Sequence, residues 1–419
     1  MLKASSLIYT IIVVFLTGIV ASSFLLYNQL SQKETDLYLL QYRLNKNAHS
    51  GIEYLLAASD YMEYNVPKNI QITEENTDSV TICKKSWGIF DIGISKSHFK
   101  NKSKELTCLI GSRLLSDEKN GLYVADLDRE ISLCGKTVLD GITYLPDEGV
   151  KRAYIEGENY IGDKLVYGTQ RNSNRDLPDL NQKLLEKNLN RINGKTDYND
   201  SLMDFNLREK DTLIHSFQEK TIVFKQFGKI ILNSGFYSGN IIFISSSEIL
   251  LDENCKLESV LLFAPKITIQ NQDSCFFQAF SSDTIIVKEE SVLLYPTVLG
   301  IIKEDKKSNN EPLLQIEKDV LFGGSLLVYD MKPDHKNYPR IEIHEKSKIY
   351  GEVYSNGKAS LQGEILGSAM VFKLYLKTKS SGYENHLLNS KIDGNKIPPA
   401  FCGMQLKDKR YGKTILQWL

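Results

Sequence analysis

Residues 249–266 read ILLDENCKLESVLLFAPK, residues 267–284 read ITIQNQDSCFFQAFSSDT, and residues 285–302 read IIVKEESVLLYPTVLGII. Each block opens on Ile, and the intervals 267 − 249 and 285 − 267 are both 18. Upstream the same phase reaches Ile231 (249 − 231 = 18). Downstream it resumes at Leu314, Ile341 and Ala359, at intervals of 29, 27 and 18. The two long intervals are one period plus insertions, placed at 302–312 and 331–340. Chemistry follows the phase. Two residues past each start stand Asn233, Leu251, Ile269, Val287, Ile316, Ile343 and Leu361; eight past stand Gly239, Leu257, Cys275, Leu293, Phe322, Ile349 and Gly367. Thirteen past stand Ile244, Leu262, Phe280, Val298, Leu327, Tyr354 and Phe372, whereas five past, from the second repeat on, the residues are polar: Asn254, Gln272, Glu290, Asp319, Lys346 and Glu364. Such columns predict a mostly β fold: a single-stranded β-helix, or solenoid, of ~18-residue coils over 231–372, stacked at ~4.8 Å so that apolar positions bury one another. An ordinary β-sandwich would not hold one phase across two insertions.

Outward from this region the pattern changes. Residues 373–419 are expected to cap the solenoid, with a short helix over Ser381–Ser390. Residues 131–230 read as irregular initial coils, interrupted by a polar insertion at 170–206. In that insertion Leu180, Leu184, Leu185, Leu189 and Ile192 have helical spacing between Pro178 and Gly194, which predicts a surface helix covering the solenoid. Residues 61–130 read as a small β-rich connector, with strands near Val80–Cys83, Trp87–Ile94, Leu106–Ile110 and Leu122–Ala125 and a polar loop over Ser95–Lys104.

Residues 1–60 are different again. Leu7 to Tyr27 holds no charged residue, and its 21 positions would span about 31 Å as a helix, close to the ~30 Å hydrocarbon core of a bilayer. The apolar run outlasts a usual signal-peptide core. Beyond it Leu30, Leu37, Leu40, Leu44, Ala48, Ile52, Leu55 and Leu56 keep helical spacing, and the first Pro is Pro67. One helix to about Ser59 is predicted, first a membrane anchor and then an amphipathic spine. Lys3 ahead of the segment favours a cytoplasmic N-terminus and an exported body.

An apolar N-terminal helix continuing as an amphipathic spine resembles the pilin and pseudopilin families. Those families place Gly or Ala before a cleavage point and Glu at the fifth mature position; Ala4 matches the first, and Ser5-Ser6-Leu7-Ile8-Tyr9 carries no Glu. The segments Ile349–Val353 and Leu361–Gly367 resemble bactofilin-type coils. Tyr144-Leu145-Pro146, Lys151–Gly157, Ser281-Ser282-Asp283 and Tyr295-Pro296 resemble a family of membrane-anchored β-helix proteins of Bacteroidota-type bacteria. That resemblance implies no particular activity.

Motifs for catalysis or cofactors were sought and not found: no GxGxxG, GxxxxGK, HExxH or CxxC occurs, so no cofactor or metal is expected. The 51 Lys+Arg and 52 Asp+Glu give a net charge of −1, which argues against a nucleic-acid partner. The mean hydropathy of −0.26 excludes a polytopic membrane protein. With 42% hydrophobic and 25% charged residues, global disorder is excluded too. Of six cysteines, Cys275 falls in an inward column and Cys255 beside one; Cys83 and Cys108 are the candidate disulfide in an exported chain. The two insertions fall at one corner, so Lys303, Lys306, Lys307, Asp334, His335 and Tyr338 are candidate partner-binding residues. Glu289, Glu290, Glu317 and Asp319 could cluster as the carboxylates of a glycan-cleaving site, although Lys288 and Lys318 share their corner. The expectation is therefore a non-enzymatic, membrane-anchored envelope scaffold, a pilin-like component of a secretion or pilus-type machine, with an envelope protein as partner. The alternative is an anchored carbohydrate-binding or polysaccharide-cleaving β-helix.

Overall fold

A computed structural model describes residues 2–71, 79–114, 120–197, 200–203, 212–304, 311–333, 337–378, 381–407 and 409–419. The chain is mostly β with one long N-terminal apolar helix. It divides into two compact units, Met1–Lys85 with Gly93–Thr107, and Ser86–Ile92 with Cys108–Leu419.

In the first unit, α1 runs unbroken over Leu2–Ala58. Its two halves have opposite surroundings. From Leu7 to Tyr27 every side chain is exposed, Phe15 by 68%. From Leu44 a stripe of Leu44, Ala48, Ile52 and Leu55 is buried at three- and four-residue spacing. Gly51 sets the distance of closest approach: a Cβ there would lie 2.2 Å from Ser95 Oγ and 2.7 Å from Val80 Cγ1. Ser95 and Ser97 are buried on β3 (Phe90–Phe99), so the expected polar loop is a strand as far as Phe99, followed by a turn at Lys100 (φ 49°). Serine is small enough to fill a tight helix–sheet contact, which is why polarity misreads these positions. The antiparallel strands β1 (Lys68–Ile70) and β2 (Ser79–Trp87) pair Lys68 with Ile82. Arg43 lies 4.7 Å over the Phe99 ring.

In the second unit, the column beginning at Ile249 is a run of parallel partners: Ile249–Ile267, Ile267–Ile285, Ile285–Leu314, Leu314–Ile341 and Ile341–Ala359. The phase crosses both insertions as expected, and the pairing is compatible with stacked coils. Its upstream end differs. Ile249 pairs with Ile230, not Ile231, an interval of 19. Keeping 18 would have turned Asn233 inward; the slip instead buries Ile230 and Leu232 and leaves Ile231 40% exposed. The second column holds from Cys275 through Leu293 and Phe322 to Ile349, but Leu257 pairs with Tyr237 rather than Gly239, and Ile349 with Ile365 rather than Gly367.

The third column departs further. The core-facing residues are Phe243, Leu262, Ala279, Leu299, Leu326, Val353 and Ala369, each the parallel partner of the next. Ile244, Phe263, Phe280, Leu327 and Tyr354 are on the opposite face of the same strands. Register shifts at Glu258/Val260 and Leu293/Thr297 break the 18-residue count here. That second face is buried as well. The helix α2 (Gln182–Ile192) packs on strands Phe276–Ser281 and Val292–Lys303 and buries Leu184, Leu185, Leu189 and Ile192, as the sequence spacing predicts. Gln278 ties down residues 86–92: Oε1 accepts from Ile89 N–H at 2.9 Å and Nε2 donates to Trp87 O at 2.8 Å.

Order along the ladder departs from order along the chain. Ala369 pairs with Leu122, Ile365 with Ile392, Ile392 with Leu139, Tyr123 with Tyr144 and Tyr144 with Arg171. Residues 120–172 therefore join the ladder beyond residue 364, not ahead of residue 230. Residues 391–393 lie within it, while Gly382–Glu384 pairs antiparallel with Tyr375–Lys377 and His386–Leu388 pairs parallel with Ser132–Cys134. The expected helix over Ser381–Ser390 is instead the strands Gly382–Glu384 and His386–Leu388, broken at Asn385 and Asn389 with φ of 56° and 54°. An unpaired strand edge exposes a row of N–H and C=O groups, and here the early chain satisfies one.

The polar corner is regular in a way periodicity alone does not show. Glu290, Asp319 and Lys346 all have left-handed backbones, with φ of 61°, 58° and 64°, and all three are exposed. Lys288 pairs with Glu317 at 2.7 Å and Lys318 with Glu345 at 2.6 Å, ion pairs that link successive repeats. A left-handed backbone costs an L-residue ~1–2 kcal/mol, offset in part by the entropy glycine loses on folding. Each of Glu290→Gly, Asp319→Gly and Lys346→Gly is expected to raise stability by about 0.5–1 kcal/mol, read from urea unfolding midpoints at unchanged slope.

Candidate functional site

The candidate residues at the insertions separate. Lys303 is not a partner-facing cation. It is buried at the end of its strand, 3.3 Å from Asp330 Oδ2, and donates to Asn337 O at 2.8 Å. Its role is internal: one ammonium ties the start of the second insertion to its far side. Lys306, Lys307, Asp334 and His335 lie outside the described residues. Tyr338 is half-buried, its ring 5.8 Å from that of Phe372. Cys83 and Cys108 are free thiols. Cys255 and Cys275 are buried in the core, as their columns suggest, and burial pushes the Cys255 thiol up to about 12.

Tyr338 belongs to a cleft of about 930 Å³ that the sequence does not announce. One wall is the chain from Asn174 to Asp179, in the first part of the 170–206 insertion; another comes from the 331–340 insertion. Neighbouring strands of the ladder supply the base. Register partners Tyr123 and Tyr144 bring their rings to 5.2 Å, and Tyr329 and Tyr354 to 6.2 Å. The phenols fasten the wall in place. Tyr123 OH accepts from Asn174 N–H at 2.9 Å and donates to Asp176 O at 3.3 Å. Tyr354 OH donates to Pro178 O at 3.0 Å, and Tyr329 OH accepts from Gln182 Nε2 at 2.7 Å. Burial raises the pKa of Tyr123, Tyr329 and Tyr354 above the ordinary phenol value, so these hydroxyls stay protonated. These tyrosines come from segments far apart in sequence, and no local motif could have grouped them.

A smaller cavity of about 330 Å³ contains Glu352. Its Oε1 accepts hydrogen bonds from Ser325 Oγ at 2.9 Å and from the Met404 amide. Burial pushes this carboxyl up to about 7. The adjoining segment is also held by Tyr295, whose OH accepts from Cys402 N–H at 3.0 Å, and by Tyr411, whose OH accepts from Leu406 N–H at 2.9 Å. At the polar corner, Glu317 is engaged by Lys288, and Glu290 and Asp319 occupy left-handed turns. Glu289, Glu290 and Glu317 line one open cleft together with Asp252, Glu253 and Lys288.

No protein-family model and no curated protein matches the chain. Among solved structures it is similar to the competence-associated pilin ComZ from Thermus thermophilus, at 8% identity and a TM-score of 0.20, over 90% of this chain and 97% of that one. A likeness of that size carries no weight for fold or function.

Two predictions follow the buried charges. Lys303→Ala leaves Asp330 buried without its counter-charge and should cost about 3–5 kcal/mol in denaturant unfolding, whereas the paired change Lys303→Met with Asp330→Leu should recover most of that. For Glu352, the folded protein holds its proton more tightly than the unfolded chain, where the carboxyl titrates near 4.5. The contribution of Glu352 to stability is then fully present below pH ~4.5 and is lost as pH rises through about 7, by roughly 1–3 kcal/mol. Glu352→Gln should abolish that fall, measured as melting temperature against pH.

Proposed function

We propose that the chain is a membrane-anchored, non-enzymatic scaffold of the cell envelope, with α1 as its anchor and the second unit as a β-helix, serving as a pilin-like component of an envelope assembly. One observation carries this proposal: α1 is a single helix that buries one stripe from Leu44 onward in its own unit and exposes every side chain from Leu7 to Tyr27. Leaving a large apolar side chain in water forgoes ~1.5–3 kcal/mol. A stretch the length of Leu7–Tyr27 calls for lipid. Three of its hydroxyls also suit lipid, because they find carbonyls on their own helix: Thr10 Oγ1 donates to Ser6 O at 2.8 Å, Thr17 Oγ1 to Val14 O at 2.9 Å and Ser23 Oγ to Ile19 O at 2.9 Å. The parallel partner pairs from Ile249 to Ala359 support the β-helix. A scaffold role without catalysis is consistent with acidic corner residues that are taken up by ion pairs and turns.

Membrane fractionation tests the anchor. Full-length protein is expected to resist carbonate extraction and to require detergent, while deletion of residues 2–30 should move it to the soluble fraction with an unchanged melting temperature. Protease added outside intact spheroplasts should digest the body. Protection of the body, or a full-length chain released by carbonate, would contradict the proposal.

A further inference from the structure

We propose that the 930 Å³ cleft is a binding site for an uncharged oligosaccharide, with Tyr338 and Phe372 as its ring platforms and Asp176 and Asp179 as its acceptors. The site goes beyond the anchoring role and stands independently of it.

The chemistry of the lining is selective. Tyr338 and Phe372 are half-buried and offer ring surface. Tyr144 is already engaged by both of its register partners, its ring 5.2 Å from that of Tyr123 and 5.8 Å from the Arg171 guanidinium. Rigid aromatic surface held this way suits the flat C–H faces of sugar rings and loses little entropy on binding. Between the platforms the lining presents acceptors. Asp176 and Asp179 are exposed and have no ion pair among the described residues. Carboxylate oxygens accept hydrogen bonds, and sugar hydroxyls are donors.

Charge and shape narrow the ligand. Lys409 lines the cleft, but Asp176 and Asp179 outnumber it, and Asp330 is already matched by Lys303. Acidic sugars are therefore disfavoured. A lone cationic group would call for rings set steeply around one point. Here the ring pairs are inclined by only 25° to 31°, and the cleft is of a size for a ligand of several rings.

The test uses the full chain in lipid nanodiscs, since sugar-headed detergents would compete. Titration calorimetry is run with cellohexaose, chitohexaose and maltohexaose, with hexagalacturonate as the acidic arm and choline as the cationic arm. At least one neutral hexasaccharide should bind, and more tightly than the other two classes. Tyr338→Ala should weaken it about tenfold while Tyr338→Phe stays within about twofold. The double variant Asp176→Asn with Asp179→Asn changes only exposed groups and should narrow the preference for neutral over acidic sugar several-fold, which keeps the test open if Tyr338→Ala does not fold. The site is overturned if none of the three neutral sugars binds, if hexagalacturonate or choline binds more tightly, or if the Asp pair leaves the neutral-to-acidic ratio unchanged.

Discussion

Each inward side chain of the second unit must lie over the corresponding side chain of the next strand, and the rest of that unit is arranged around this demand. A parallel partner pair such as Ile267–Ile285 fixes the backbone hydrogen bonds and the side-chain contact together, so a slip of one residue would expose both columns at once. The demand applies to the strands and not to the corners. Insertions of different length can therefore sit between Ile285 and Leu314, and between Leu314 and Ile341, without disturbing the pairs on either side. At the upstream end the same demand overrides the count: burying Ile230 and Leu232 is worth more than keeping an interval of 18 that would bury Asn233.

A ladder built this way solves its lateral packing but leaves its edges open. Beyond residue 364 the edge is taken by strands from both chain ends, with Ile392 between Ile365 and Leu139. Residues 120–172 are thereby held next to the late repeats, which brings Tyr123 and Tyr144 beside Tyr354 and the second insertion. The cleft is a by-product of that closure. Its walls are the segments leaving the ladder on either side of the join, and its tyrosines fasten those segments with hydroxyls that are otherwise hard to satisfy.

What could be read from the sequence, and what could not, divides along the same line. The Ile249–Ala359 column was legible because one residue class recurs at one interval. The α1 helix and α2 were legible for the equivalent reason at helical spacing. Lys303 was misread because a charge in a loop-like stretch is ordinarily solvated; its burial depends on Asp330, 27 residues away, which no local pattern reveals. The third column was misassigned because both faces of its strands are apolar. One faces the core and the other is covered by α2 and by the Trp87–Ile89 turn. Alternation cannot choose between two buried faces. The cleft was invisible because its residues are joined only by the edge closure, which is the least local feature of the chain.

The first unit is subject to a different constraint, and α1 shows where it begins. From Leu7 to Leu39 every side chain of the helix is exposed; from Leu44 on, one stripe is buried, and Gly51 removes the last side chain that would hold helix and sheet apart. A single helix thus serves two solvents, with no proline or glycine hinge where the surroundings change. An unbroken hydrogen-bonded backbone is the one local structure that both lipid and a packed interior accept. Continuity of α1 through that boundary transmits the orientation of the apolar segment directly to the sheet the helix packs on, with no flexible joint to absorb a tilt. A rigid connection of that kind is of most use to a protein whose task depends on how its body is presented.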